Sequence, residues 1–316
     1  MHAADDLRSL PGICDLSWHP PRDGLGDGPR PALLIEIPHG ATEIADYEAV
    51  AAGLRSTLPP ELEAFFYVNT DIGAPECAER VAAALCASDR PVGVLVARCR
   101  IPRTFIDCNR VAAGIPGVVV DGLTPAVASY VDDAADKDVL EDSHRRYHEL
   151  VSRAYARVCG GGGLALQLHS YAPVSVDIPV IDRDIVDKLR WAYSPEVFPR
   201  WGRRPDVDVI CESVDGAELA DAALVDGLLR AYRELGLEVG ASATYRLHPA
   251  TMGYHYARRF PGQVLCVELS RGRLADPFVP LARSPLSTTE IERLAGPLTK
   301  VLGAALTGGG GGGFAA

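Results

Sequence analysis

Two histidines in this chain each close an apolar run: His39 follows residues 32–38, and His169 ends Leu164-Ala-Leu-Gln-Leu-His169. An imidazole at a strand end lies at the carboxyl edge of a sheet, where open α/β folds build their sites. Two histidines plus one carboxylate are a common zinc set that leaves a fourth position for water. The carboxylate could be Asp71, closing Asn69-Thr70-Asp71, or Glu43, four residues past His39. Glu268 sits inside Val264-Leu-Cys-Val-Glu-Leu269. A buried carboxylate is costly unless paired, ligated or functional. Beside a metal-activated water it would act as general base and pass the proton to the leaving amine. Arg103, Asn109 and Arg110 lie close together in the chain. A guanidinium grips a carboxylate in bidentate fashion and can also steady a developing oxyanion. Arg258-Arg259 is a further anion-binding candidate. His144 and His148 have His-x-x-x-His spacing, but Arg145 stands where a metalloprotease motif needs its Glu. That pair reads as a solvated helix face.

These groups need a sheet edge on which to converge. Strand-like runs occur at 32–38, 64–68, 92–97, 164–169, 207–211 and 264–269. Helical patterns span 44–58, 75–86, 132–158 and 217–235, and Ser287-Thr-Thr-Glu290 is a capping box opening a last helix to about 306. Alternating strands and helices predict an α/β layered sheet. Residues 10–31, rich in Pro, Gly and Asp, read as an irregular leader to a single domain covering 1–306. The glycine-rich 307–316 read as a flexible tail.

Composition narrows the function classes. With 316 residues, 47% of them hydrophobic, the chain can bury a sizeable core. A net charge of −11 argues against a nucleic-acid partner held by a basic face. No apolar run approaches the roughly 20 residues of a membrane span, and the acidic, polar first residues do not form a secretory signal. None of the eight cysteines forms a Cys-x-x-Cys pair, and several sit in apolar runs. Buried free thiols in a reducing cytoplasm are the expectation.

Taken together, His169-Ser-Tyr171, Asp107-Cys-Asn109-Arg110 and Glu268-Leu269 resemble motifs of the zinc carboxypeptidase and aspartoacylase superfamily. More closely, the chain resembles the N-formylglutamate amidohydrolase family. The matching pieces are Ile37-Pro-His39-Gly, Asn69-Thr-Asp71, Pro102-Arg-Thr-Phe-Ile-Asp-Cys-Asn-Arg110, Arg145-Arg-Tyr-His148, Leu168-His-Ser170 and Gly253-Tyr through Val267-Glu-Leu269, in the family's order. The resemblance implies a three-layer α/β/α fold around a mixed sheet of roughly eight strands, zinc carboxypeptidase-like, with one zinc ion. It implies hydrolysis of an amide next to a carboxylate, in a small-molecule N-formyl or N-acyl amino acid. Carried over by motif, His39, Asp71 and His169 are the zinc ligands. Glu268 is the base, and Arg103 polarises the carbonyl and steadies its oxyanion. Asn109 and Arg110 hold the substrate carboxylate, and Arg258 takes a second one. The chain departs from the family after its first histidine, where Gly40-Ala41-Thr42-Glu43 follows and keeps Glu43 in competition with Asp71. It departs again at Met252-Gly253, where the family has a glycine pair. A metallocarboxypeptidase acting on short peptides would use the same centre. A non-catalytic carboxylate binder would keep Asn109 and Arg110 but need neither Glu268 nor the histidines.

Overall fold

Side-chain alternation along the strands divides the core into two layers. In the computed structural model, which describes residues 7–22, 30–111 and 125–308, β1 (Cys14–His19), β2 (Leu33–Ile37), β3 (Val94–Cys99), β4 (Leu164–Tyr171), β5 (Val207–Ile210), β6 (Val239–Ala241) and β7 (Val264–Ser270) form one sheet. Its order is β1-β3-β2-β4-β7-β5-β6. The four strands from β3 to β7 in that order run parallel; β1 and β5 pair antiparallel to β3 and β7. The sheet is therefore mixed, as expected, with seven strands among the described residues.

Leu33, Ile35 and Ile37 of β2, Leu164, Leu166 and Leu168 of β4, and Leu265, Val267 and Leu269 of β7 enter one apolar cluster. The helices on that face are α3 (Ala74–Cys86), α6 (Ala222–Glu234), the short α8 (Arg271–Leu274) and α9 (Thr288–Gly308). Successive strand residues point to opposite faces. Leu34, Ala165 and Cys266 therefore face the other side, against α4 (Ala134–Val158), α5 (Ile185–Ala192) and α7 (Met252–Arg259). Strands buried on both faces read as near-continuous apolar runs. Five of the six predicted strand runs hold for that reason. The same face also carries the polar residues Glu36, Gln167, His169, Asp208 and Glu268, each one position out of phase with the apolar set.

The run at 64–68 is not a strand. It forms α2 (Glu63–Asn69). Leu62, Phe65 and Phe66 are the buried members, and their i, i+3, i+4 spacing is a helix face that a short aromatic run conceals. α1 (Ile44–Ala51) is shorter than the predicted 44–58 and ends just before Gly53. The leader is not irregular throughout, since β1 lies in it and covers the edge of β3. The tail from 309 onward lies outside the described residues, while Thr307 and Gly308 complete α9. No helix among the described residues is long and apolar enough to cross a membrane.

Candidate active site

The carboxyl ends of β2 and β4, which are neighbours in the sheet, carry His39 and His169. Their ring centroids lie 5.0 Å apart. Asp71 arrives from the turn between α2 and α3. Its Oδ2 sits 2.9 Å from His169 Nδ1 and 3.3 Å from His39 Nδ1. All three residues are buried, and one ligand atom from each lies within 4.8 Å of the others. Two imidazole nitrogens and a carboxylate oxygen, converging in a buried space, form a donor set that fits a zinc ion. Burial alone would raise the pKa of Asp71, but the two histidines hold it well below the carboxylate range. Burial and Arg103 pull His39 down, yet Asp107 and Asp71 leave its pKa raised overall.

Backbone stitching fixes this convergence. The Asp71 N–H donates to His39 O at 3.2 Å, and Thr70 Oγ1 donates to Ala41 O at 2.6 Å. Ser170 Oγ donates to Ile72 O at 2.9 Å. Through that bond the serine of the His169-Ser-Tyr motif joins the end of β4 to the Asp71 turn. Arg98 Nε donates to Gly40 O at 2.7 Å. A Cβ on Gly40 would lie 2.7 Å from Arg98 Cγ and 3.1 Å from two carbonyl oxygens, so only glycine lets the His39 turn lie this close. The buried Arg271, just past β7, donates from Nη1 to the carbonyls of Val68 and Thr70 at the end of α2.

Glu268 lies beside His169 in the β4–β7 register, with Asp208 of β5 on its other side. The two carboxylates differ in their partners. Asp208 accepts the N–H groups of Ala243 and Thr244 at 3.0 and 2.6 Å. Glu268 Oε2 is buried and has no hydrogen-bond partner among the described residues. Burial pushes the Glu268 carboxyl up to about 7; His169 opposes this, Asp71 adds to it, and Arg103 opposes it.

Asp107 organises the arginines. Its Oδ1 accepts from His39 Nε2 at 2.8 Å and from the Asn109 N–H at 2.8 Å. Its Oδ2 lies 3.0 Å from Arg103 Nε and 4.0 Å from Arg110 Nε. Burial would raise the Asp107 pKa, but Arg103, His39 and Arg110 hold it well below its usual range. Asn109 packs against the start of α7, where its Oδ1 accepts the Gly253 N–H at 3.3 Å. Arg103, Asn109 and Arg110 thus flank the His–Asp–His group on the side reached through Asp107.

Three expectations are placed elsewhere. Glu43 precedes α1 and pairs with Arg283 at 3.6 Å, so Asp71 is the carboxylate that joins the histidines. Arg258 is exposed on α7; its neighbours are the Tyr254 ring and Asp215. His144 and His148 do not form a solvated face. His144 is buried, its Nε2 donates to Arg110 O at 2.9 Å, and the two Nε2 atoms lie 3.1 Å apart. The reason is helical phase: Leu140, His144, Tyr147 and Val151 share the inner stripe of α4. Arg145 points the other way, to Asp142 and Glu149. Asp107 and Gln167, which touch the histidines directly, are missing from the sequence-derived set. Gln167 shares the sequence signal that marked Glu268, a polar residue inside an apolar strand run.

The family model described as FGase, N-formylglutamate amidohydrolase, matches residues 31–273. Among solved structures, an N-formylglutamate amidohydrolase from Ralstonia eutropha JMP134 is similar at 18% identity and a TM-score of 0.55, covering 92% of this chain and 96% of that one. A gene product from Agrobacterium tumefaciens is similar at 17% identity and a TM-score of 0.52, covering 94% and 95%. At these identities the likeness speaks for the fold. No curated protein sequence matches.

Proposed function

The chain belongs to the N-formylglutamate amidohydrolase family, and from that premise we propose that it is a zinc-dependent hydrolase of N-formyl or other N-acyl amino acids. The observation that carries this reading is Glu268, a carboxyl pushed up by burial to about 7, with one oxygen unpartnered among the described residues, beside His169 of the His39–Asp71–His169 group. A general base works best when its pKa lies near the operating pH.

His39 Nδ1, Asp71 Oδ2 and His169 Nδ1 would hold the zinc. When bound there, the ion supplies Lewis acidity, polarising a carbonyl and making water acidic enough to yield hydroxide near neutral pH. The chain's own groups then divide the work. Asn109 and Arg110 bind the α-carboxylate of the amino-acid half, which sets the amide beside Glu268. Glu268 takes a proton from the attacking water as the new C–O bond forms. Arg103 faces the oxygen on which negative charge develops. The amide C–N bond breaks, and Glu268 returns its proton to the departing nitrogen. The products are a small acid, formate for a formyl substrate, and a free amino acid. The eight cysteines are all free, which supports a reducing compartment, the cytoplasm, as its location.

The decisive experiment offers the zinc-loaded protein formyl, acetyl and short peptidyl amino acids and measures released amine. Cleavage of formyl or acetyl amino acids is the expected result. Turnover of peptides alone would replace this reading with a carboxypeptidase, and turnover of none would leave a carboxylate binder.

A further inference from the structure

Behind His169 lies a buried polar chain that none of the roles above uses. Glu36 is fully buried on β2, with its carboxyl among three hydrogen donors. Tyr147 Oη donates to Oε1 at 2.9 Å, Tyr155 Oη to Oε2 at 2.7 Å, and Gln167 Nε2 to Oε2 at 3.0 Å. Glu36 and Gln167 are register partners across β2 and β4, so the sheet itself holds them side by side. The other end of the Gln167 amide, Oε1, lies 3.3 Å from His169 Nε2 and 3.6 Å from Cys266 Sγ. An amide has one donating end and one accepting end. Here the donating end meets a carboxyl and the accepting end meets a thiol and an imidazole, so the amide has one satisfactory orientation.

We propose that Gln167 is a positioning residue, oriented by Glu36, that keeps the hydrogen of His169 on Nε2 and its Nδ1 lone pair turned toward Asp71 and His39. The inference rests on the metal reading above. A ligating histidine is commonly fixed by a partner that accepts its other ring N–H. For His39 that partner is Asp107, at 2.8 Å. For His169 the neutral amide takes the place of a carboxylate, and Glu36 polarises it from behind. Gly253 keeps the space open, because a Cβ there would lie 2.5 Å from Gln167 Oε1. The same Gly253 N–H reaches Asn109 Oδ1, so the substrate side and the ligand-orienting side meet at one residue.

The test measures zinc affinity by chelator competition in the folded wild type and three variants. Gln167→Met keeps the length and removes both hydrogen bonds; its affinity should fall about 10- to 100-fold. The exchanged pair Glu36→Gln with Gln167→Glu keeps one carboxyl and one amide in swapped places. It should recover most of that loss, because the carboxylate at 167 again accepts from Nε2. Tyr155→Phe removes one donor to Glu36 but leaves Gln167 oriented, so it should lower stability while leaving affinity unchanged. Nitrogen NMR of the zinc-loaded wild type should show the proton of His169 on Nε2. Wild-type affinity in Gln167→Met, or an exchanged pair as weak as that single variant, would overturn the proposal. A wild type that fails to bind zinc would instead bring down the metal reading, and this inference with it.

Discussion

Burial at Glu268 makes the stability of the fold depend on pH. Its pKa is raised from 4.5 to about 7, so between those values the folded metal-free protein holds a proton that the unfolded chain has released. Stability therefore falls as pH rises through that window, and the loss is complete above it, on the order of 2 kcal/mol for a half-buried group. Glu268→Gln should abolish turnover and also flatten that dependence. Urea titrations of the metal-free proteins at pH 5 and pH 8 would show it: between those values the wild type loses stability relative to the variant, whatever the histidines of the shared background contribute to both. Parallel behaviour would mean that Glu268 is not the buried proton acceptor described. Arg110 permits a separate test. Arg110→Lys keeps the charge but loses the planar fork, a loss of about 1.5 kcal/mol. KM should rise roughly tenfold, since about 1.4 kcal/mol is a factor of ten, with kcat little changed. A fall in kcat at constant KM would instead place Arg110 at the reacting centre.

At the scale of elements, the turns after β2 and before α3 hold His39 and Asp71 together. Gly40 is their tightest point. Gly40→Ala forces a Cβ against Arg98 and two carbonyls, and overpacking of this kind costs about 1–3 kcal/mol. Stability and zinc affinity should fall together; a variant that loses stability alone would show that the turn relaxes without moving His39. Helix α4 brings a different sensitivity. Burial lowers the pKa of His144, and burial together with His144 lowers His148 to about 3. Both stay neutral in the folded state, while the unfolded chain takes up protons below about 6.5. Stability supplied by this helix is present above that value and is lost as pH falls toward about 3. His148→Gln should move the acid unfolding midpoint downward, as circular dichroism would detect.

For the whole molecule, the His39–Asp71–His169 group ties β2, β4 and the α2–α3 turn into one unit, so an ion held there, as proposed, should act on global stability. A ligand at roughly 1,000 times its Kd that binds only the folded state stabilises by about 4 kcal/mol. Thermal melts in excess zinc and in chelator should differ accordingly. In Asp71→Asn, which removes the carboxylate between the histidines, the difference should disappear. An unchanged zinc effect in that variant would mean that the ion binds elsewhere.

The sequence by itself determined the apolar strand runs, the long α4, the capping box of α9, and the polar positions His39, Asp71, Arg103, Asn109, Arg110, His169 and Glu268. Most are marked by local pattern, a periodicity, a run that stops or a charge inside an apolar stretch, and Arg103, Asn109 and Arg110 by their closeness in the chain and the motif they share with the family. What it left open depends on distance in space. Along the chain Glu43 lies four positions from His39 and stays in competition with Asp71, 32 positions away, and only the turn after α2 brings Asp71 to 3.3 Å. Residues 64–68 carry strand-like composition, and packing of Leu62, Phe65 and Phe66 turned them into a helix. Arg258 and the histidines of α4 exchanged their expected surroundings because helical phase against the sheet, rather than residue type, decides which side is buried. Glu36, Gln167 and Asp107 stand out in the sequence only as polar residues in an apolar run or a motif, and their partners come from register and from contacts such as Asp107 with His39, 68 positions apart, and Gln167 with Glu36, 131 apart.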